Sequence, residues 1–302
     1  LKLGVVQFKP RKGDVAANLA ELEAIYAQLA AEDVPYDLIV APEATLTGYF
    51  LEGAVYERAF EADELAALLA ARWRRAGGGR AVDLVLGFYE NSGGTYYNSA
   101  LYLHVGSSDH HIVHVHRKMF LPTYGVFDEE RFLSRGRRLQ AFDTRFGRMA
   151  LLICEDAWHA LMPTIAAIKG ARFLLVPSAS PGRGLAAGGE LESVLHWRNV
   201  LRSYAVEHGV FVIYAGLAGF EGGKGMTGSS SVIDPFGETL VTAPALGAHV
   251  LSVELEAADI EIARAGLPLL GDLSAVLPDL LFDDELLPHA VRRGVALAEK
   301  PS

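Results

Sequence analysis

The chain has 302 residues, enough for one large domain or two small ones, and its 51% hydrophobic content supports a sizeable core and argues against disorder. A formal net charge of −10 with no basic block argues against nucleic acid or an anionic membrane as the main partner. A single cysteine rules out an intramolecular disulfide and, with no signal-peptide pattern and no long apolar run, the expected location is the cytoplasm.

The opening stretch, 3–8, has a strand pattern. Asp14 is placed to cap a helix over 15–31. A buried strand over 36–41 ends at Pro42-Glu43. A carboxylate at the exit of an apolar strand is expensive unless it is paired or faces a cleft; the alternative is a loop acid opening the stretch 44–49. A second helix, 62–75, stops at Gly77-Gly78-Gly79. Strands over 82–89, 96–105 and 110–117 follow as an antiparallel meander. His110, His114 and His116 alternate along the last of these, but no third ligand stands at metal-binding spacing, so neither a metal nor a cofactor is expected.

Lys118 ends that strand and opens an aromatic loop, 118–132, carrying Asp128, Glu129 and Glu130. A hairpin over 139–142 and 148–153 leads to Cys154. Two acids and a helix over 157–169 come next. Strand, sharp turn and helix is a context that exposes an attacking atom, and a helix N-terminus beside the sulfur would favour a thiolate. The ordinary alternative is an inert core cysteine. A buried strand over 173–176 ends in the small loop 177–182. A helix over 190–207, a strand over 210–214, and shorter strands over 226–233, 238–241 and 249–253 complete the pattern. No linker divides 1–255, which reads as one α/β domain with helices covering stacked sheets. Residues 256–302 lack clear periodicity and read as an arm packing on the body or on a neighbouring subunit.

Four buried strands therefore end in a useful residue or loop: Glu43, Lys118, Cys154, and the loop with Ser178 and Ser180. Side by side they form a coherent set. The carboxylate takes the thiol proton, the sulfur attacks an electrophilic carbon, and the ammonium stabilises the anion that results.

Pro42-Glu43, Lys118-x-x-Leu121-Pro122 and Cys154-Glu155-Asp156-x-Trp158 resemble, in order and separation, the three catalytic motifs of the nitrilase (carbon–nitrogen hydrolase) superfamily. Val5-x-Gln7, Tyr97-Asn98-Ser99-Ala100, Gly228-Ser229-Ser230 and Asp234-Pro235-x-Gly237-Glu238 fit the same pattern. The stretches 121–129 and 154–158 are most similar to the glutaminase domain of glutamine-dependent NAD synthetases, although no Ser-Gly-Gly-x-Asp-Ser motif of a synthetase domain occurs in this sequence.

The resemblance implies a nitrilase-like α-β-β-α sandwich that forms a homodimer or higher homo-oligomer. It implies Cys154 as a nucleophile forming a thioester and Glu43 as general base. Lys118 would stabilise the tetrahedral intermediate, assisted by the backbone N–H of Glu155. Glu129 would be a second glutamate that positions the substrate, with adjacent Glu130 the competing assignment. Tyr124, Glu155, Ser178 and Ser180 would line the substrate side. The expected activity is hydrolysis of a small linear amide or N-carbamoyl compound with release of ammonia. The alternatives are a glutaminase-like subunit that hands ammonia to a partner, and a non-catalytic binding protein on the same fold. Arg183 and Arg198 are candidates to bind a substrate carboxylate, against the simpler reading of two surface arginines. The sequence departs from the family at Tyr204-Ala205-Val206-Glu207-His208 and at Ala215-Gly216-Leu217. At the latter, Gly216 in place of the usual Asn is expected to leave more room in the pocket.

Overall fold

The computed structural model describes residues 1–281. One six-stranded sheet contains β1 (Lys2–Gln7), β2 (Leu38–Val40), β3 (Val82–Ser92), β4 (Thr95–Val105), β5 (His110–Arg117) and β14 (His249–Glu254), in the order β14-β1-β2-β3-β4-β5. A second contains β6 (Ala141–Thr144), β7 (Gly147–Leu151), β8 (Phe173–Ser178), β9 (Phe211–Gly216), β12 (Ser231–Ile233) and β13 (Thr239–Thr242), in the order β13-β12-β9-β8-β7-β6. A short hairpin, β10 (Ala218–Glu221) with β11 (Lys224–Thr227), stands apart from both.

Side-chain alternation along each strand explains the layers. In β4, Ala100 and Tyr102 join the core shared by the two sheets, while Leu101 and Leu103 join the core beneath α1 (Val15–Ala30) and α3 (Ala62–Arg75). Both faces of the inner strands are covered, which is why β1, β2, β3, β8 and β9 read as almost unbroken apolar runs. Asp14 caps α1 by accepting from the Ala17 amide at 3.0 Å. Burial of Leu19, Leu22 and Leu29 counts for more: each contributes about 1.5–3 kcal/mol, against about 1 kcal/mol for the cap. The second sheet is covered by α4 (Leu161–Ile168) and α5 (Glu192–His208), with Trp197, Leu201 and Ala205 facing inward. A four-residue helix, α2 (Val55–Arg58), lies in the loop after β2. The result is an α-β-β-α sandwich, as the sequence implied.

Two stretches differ from expectation. The helix placed at 157–169 is split into a five-residue 3-10 turn, Cys154–Trp158, and α4. The Asp156 side chain folds back onto the Ile153 amide at 3.1 Å and holds the turn, while Pro163 falls in the first turn of α4, where no amide donor is needed. The strand placed at 226–233 is broken at Gly228 and Ser229, which adopt φ of +61° and +55°. The segment read as an arm begins with two helices, α6 (Ala258–Gly266) and α7 (Leu269–Leu281), and α7 packs on α4 and α5. The remainder of that arm, 282–302, lies outside the described residues. No helix among the described residues is long and apolar enough to cross a membrane.

In the first sheet β1, β2 and β3 run parallel and β5 shares their direction, while β7, β8 and β9 run parallel in the second. The ends of β2, β5, β7 and β8 meet at one edge of the sandwich. Hydrogen bonds across the sheets fix that meeting: the Ala179 amide donates to Glu43 Oε2 at 2.7 Å, and the Met119 amide to Asp156 Oδ1 at 2.9 Å.

Candidate active site

Glu43 follows β2 and is fully buried. Its loop lies against β3 at Gly87, where a Cβ would stand 2.4 Å from the Glu43 Cα; only glycine permits the approach. Lys118 follows β5, is 1% exposed, and donates from Nζ to Glu43 Oε1 at 2.8 Å and to Glu129 Oε1 at 2.7 Å. Asn98 donates to the same Glu43 oxygen at 2.7 Å. The Tyr49 hydroxyl donates to Glu129 Oε1. Glu130, the competing assignment, is exposed and stands outside this cluster.

One cation between two buried carboxylates fixes the charge states. Burial alone would push the Lys118 ammonium down, but Glu129 and Glu43 outweigh it and hold the group well above the ordinary lysine range. For Glu129 the balance is reversed. Burial dominates the attraction of Lys118, and with Glu43 adding repulsion its carboxyl is pushed up to about 7. Its Oε2 is buried and makes no hydrogen bond with a described residue. Glu129 also borders a cavity of about 260 Å³ together with Tyr49, Tyr89 and Phe132; Cys154 does not line it.

Cys154 follows β7 with φ of +44°, a left-handed conformation that costs a non-glycine residue about 1–2 kcal/mol. Burial pushes its thiol far above the ordinary range, Glu43 pushes it further, and Lys118 opposes both. The resting sulfur is therefore protonated, and the thiolate expected from a helix N-terminus is not what this turn provides. The Ser178 hydroxyl lies beside the sulfur and makes no hydrogen bond of its own with a described residue. Ser180 is buried, and its carbonyl accepts from the Thr227 amide at 3.0 Å, tying the loop to the β10–β11 hairpin.

Asp156 joins the two halves of the cluster. It is fully buried; Oδ1 accepts from the Met119 and Phe120 amides at 2.9 and 3.0 Å, and Oδ2 accepts from the Ile153 amide at 3.1 Å and from His116 Nε2 at 2.9 Å. One carboxylate thus holds the backbone just before Cys154 against the backbone just after Lys118. His114, two residues from His116, stacks instead on Phe142.

The outer part of the site is built on loops. Tyr124 is 44% exposed, and its hydroxyl donates to Glu155 Oε2 at 2.9 Å. The Arg183 guanidinium lies among Phe127, Tyr124 and Trp158, 5.3, 5.5 and 5.5 Å from the ring centroids. Arg198 is elsewhere engaged, donating to Glu190 at 2.8 Å in an exposed pair.

The room expected at Gly216 is not there. A Cβ on that residue would stand 2.2 Å from the Gly228 carbonyl oxygen, so the backbone of the 228–229 break fills the space. Several members of the cluster were missed in the sequence. Asn98 lies in the recognised Tyr-Asn-Ser-Ala stretch, yet nothing in it names Glu43 as a partner. Glu221, whose carboxylate accepts from the Tyr49 and Phe50 amides at 2.9 and 3.0 Å, precedes Gly222-Gly223, a hairpin signal that could have placed it.

Residues 2–265 match the model of the carbon-nitrogen hydrolase family. The chain is 32% identical over 257 residues, 84% of its length, to the glutamine-dependent NAD(+) synthetase of Rhodobacter capsulatus, and it spans only 43% of that relative. It is 26% identical over 277 residues to the citrullinase of Francisella tularensis, covering 87% of this chain and 92% of that protein. The crystal structure of a carbon-nitrogen hydrolase from Helicobacter pylori G27 has the same fold, with a TM-score of 0.79 at 23% identity over 98% of this chain and 99% of that one. An amidase from Nesterenkonia sp. AN1 gives a TM-score of 0.69 at 23% identity over 89% and 95%. The family match runs through both sheets and every strand-end residue described above, and the protein belongs to the carbon–nitrogen hydrolases of the nitrilase superfamily.

Proposed function

We propose that this carbon–nitrogen hydrolase cleaves the terminal C–N bond of a small amide or N-carbamoyl compound through a thioester on Cys154. The observation that carries the reading is the buried Lys118 ammonium bridging Glu43 and Glu129, with the Cys154 turn tied beside it by Asp156. Glu43 receives three donors, from Lys118, Asn98 and Ala179, and one lone-pair direction of Oε2 is left for the thiol proton. Sγ attacks the carbonyl carbon as that proton moves to Glu43. Two of the three Lys118 hydrogens are engaged, and the third, with the Glu155 amide, meets the developing oxyanion. Glu43 returns the proton to the leaving nitrogen, ammonia departs, and an acyl thioester remains. Water then adds to the thioester with Glu43 again as base, giving a carboxylate and the free thiol.

The relatives support the class of bond: one is named for glutamine, another for citrulline, and the Nesterenkonia amidase carries a covalent addition at its active-site cysteine. The test is ammonia release from glutamine, asparagine, citrulline, N-carbamoyl amino acids, aliphatic amides and nitriles, comparing wild type with Cys154→Ala. Release that disappears in the variant, together with an acid-trapped acyl adduct on the wild-type chain, is the expected result. Release that survives the substitution would sink the mechanism.

A further inference from the structure

We infer that Arg183 determines specificity by binding a carboxylate of the substrate, so that the enzyme acts on acids bearing a terminal amide or ureido group. This deepens the hydrolase reading above and rests on it. Three tethers place Arg183 at the mouth of the site. It lies four residues beyond Ala179, whose amide holds Glu43. Its guanidinium packs on Trp158, four residues beyond Cys154. It also packs on Tyr124, whose hydroxyl is bonded to Glu155. The backbone is pinned from both directions, with the Arg183 amide donating to Ser193 Oγ and the Ser193 amide to the Arg183 carbonyl, both at 3.1 Å.

The guanidinium is half-buried and forms no ion pair among the described residues. Glu155 on this rim is taken by Tyr124 and by a 3.9 Å contact with His159. Arg198 shows the contrast, since an exposed glutamate already satisfies it. Aromatic rings around a guanidinium hold its plane and screen its faces, leaving the N–H edge to a planar, two-oxygen anion. Trp158 is itself fixed, stacked on His196 at 4.1 Å and edge-on to Trp197. A cation held in place by apolar walls, with no counter-ion among the described residues, is completed by a carboxylate.

The test uses substrate pairs that differ only in that group: L-glutamine with 4-aminobutanamide, and L-citrulline with 4-ureidobutylamine. Wild type should prefer the acid of at least one pair by about tenfold or more, and Arg183→Gln should lower its kcat/KM about 10- to 100-fold, mainly through KM. The decarboxylated member should change by less than about threefold, and Arg183→Lys should recover part of the loss. Unfolding curves would confirm that both variants fold. Equal losses on both members of each pair, or no preference in wild type, would overturn the inference and leave the hydrolase reading standing. Cys154-dependent ammonia release from none of the four, but from other amides, would overturn the inference alone; release from no amide or N-carbamoyl compound, or from nitriles alone, would overturn both.

Discussion

The deep and outer parts of the site are held by opposite means. Glu43, Lys118 and Glu129 are each less than a tenth exposed, follow strands or the loop just beyond one, and are positioned by charged hydrogen bonds to one another. Tyr124 and Arg183 sit on loops and Glu155 on the 3-10 turn; all are partly or openly exposed and meet through one hydroxyl and the faces of aromatic rings. Buried charge without a partner costs several kcal/mol, so the deep cluster tolerates almost no rearrangement. The rim costs little to alter. The proposed chemistry is therefore lodged where the fold permits one arrangement, and the proposed selectivity where it permits many.

Substitutions that remove one charge or one hydroxyl separate these two regimes. Lys118→Met leaves two carboxylates facing each other in the interior and should destabilise the protein by about 3–5 kcal/mol in urea unfolding at pH 8. Part of that loss should return at pH 5, where Glu129 takes up a proton. A cost below about 1 kcal/mol would show that packing rather than charge holds the deep cluster. Asp156→Asn keeps one acceptor oxygen but presents an amide donor to the Ile153 amide or to His116, and should cost about 2–4 kcal/mol. Because Asp156 touches only backbone and His116, its loss should lower kcat with little change in KM; a KM effect alone would contradict the clamp.

Glu129→Gln tests the raised carboxyl. In the folded protein Glu129 holds its proton up to about 7, above the ordinary range. The native state therefore binds more protons than the unfolded chain between about pH 4.5 and 7, and wild-type stability contributed by this group is lost as pH rises through that window. Glutamine does not titrate, so the variant should gain on wild type by roughly 1–3 kcal/mol between pH 5 and 8. Parallel stability–pH curves would exclude the shift. The smallest effect is expected at the rim: Tyr124→Phe removes one exposed hydrogen bond and should change stability by less than about 0.5 kcal/mol.

Much of the deep cluster was legible because topology delivers it. Glu43 and Cys154 each follow a strand buried on both faces, and such strands announce themselves as apolar runs; Lys118 ends the half-exposed edge strand β5 and was legible from its motif. What escaped notice depends on contacts between distant segments. Tyr49 meets Glu129 across 80 residues, and Ala179 meets Glu43 across 136. The β10–β11 hairpin is easily passed over because its strands are short and mixed in polarity, although Gly222-Gly223 marks its turn. The space at Gly216 was misjudged for a related reason: a missing side chain predicts a void only if no other backbone moves in, and Gly228 does. The family spacing ranks Glu129 above Glu130; Glu129 is buried in the cluster and Glu130 is exposed.

Glu43 and Lys118 hang from one sheet, and the Cys154 thiol from the other. Any slip between the layers changes the distance between sulfur and carboxylate directly, while leaving each sheet's own ladder intact. The enzyme should then behave as a gauge of its interlayer register. Mild heat or pressure would silence turnover reversibly while circular dichroism still reported a native complement of strands.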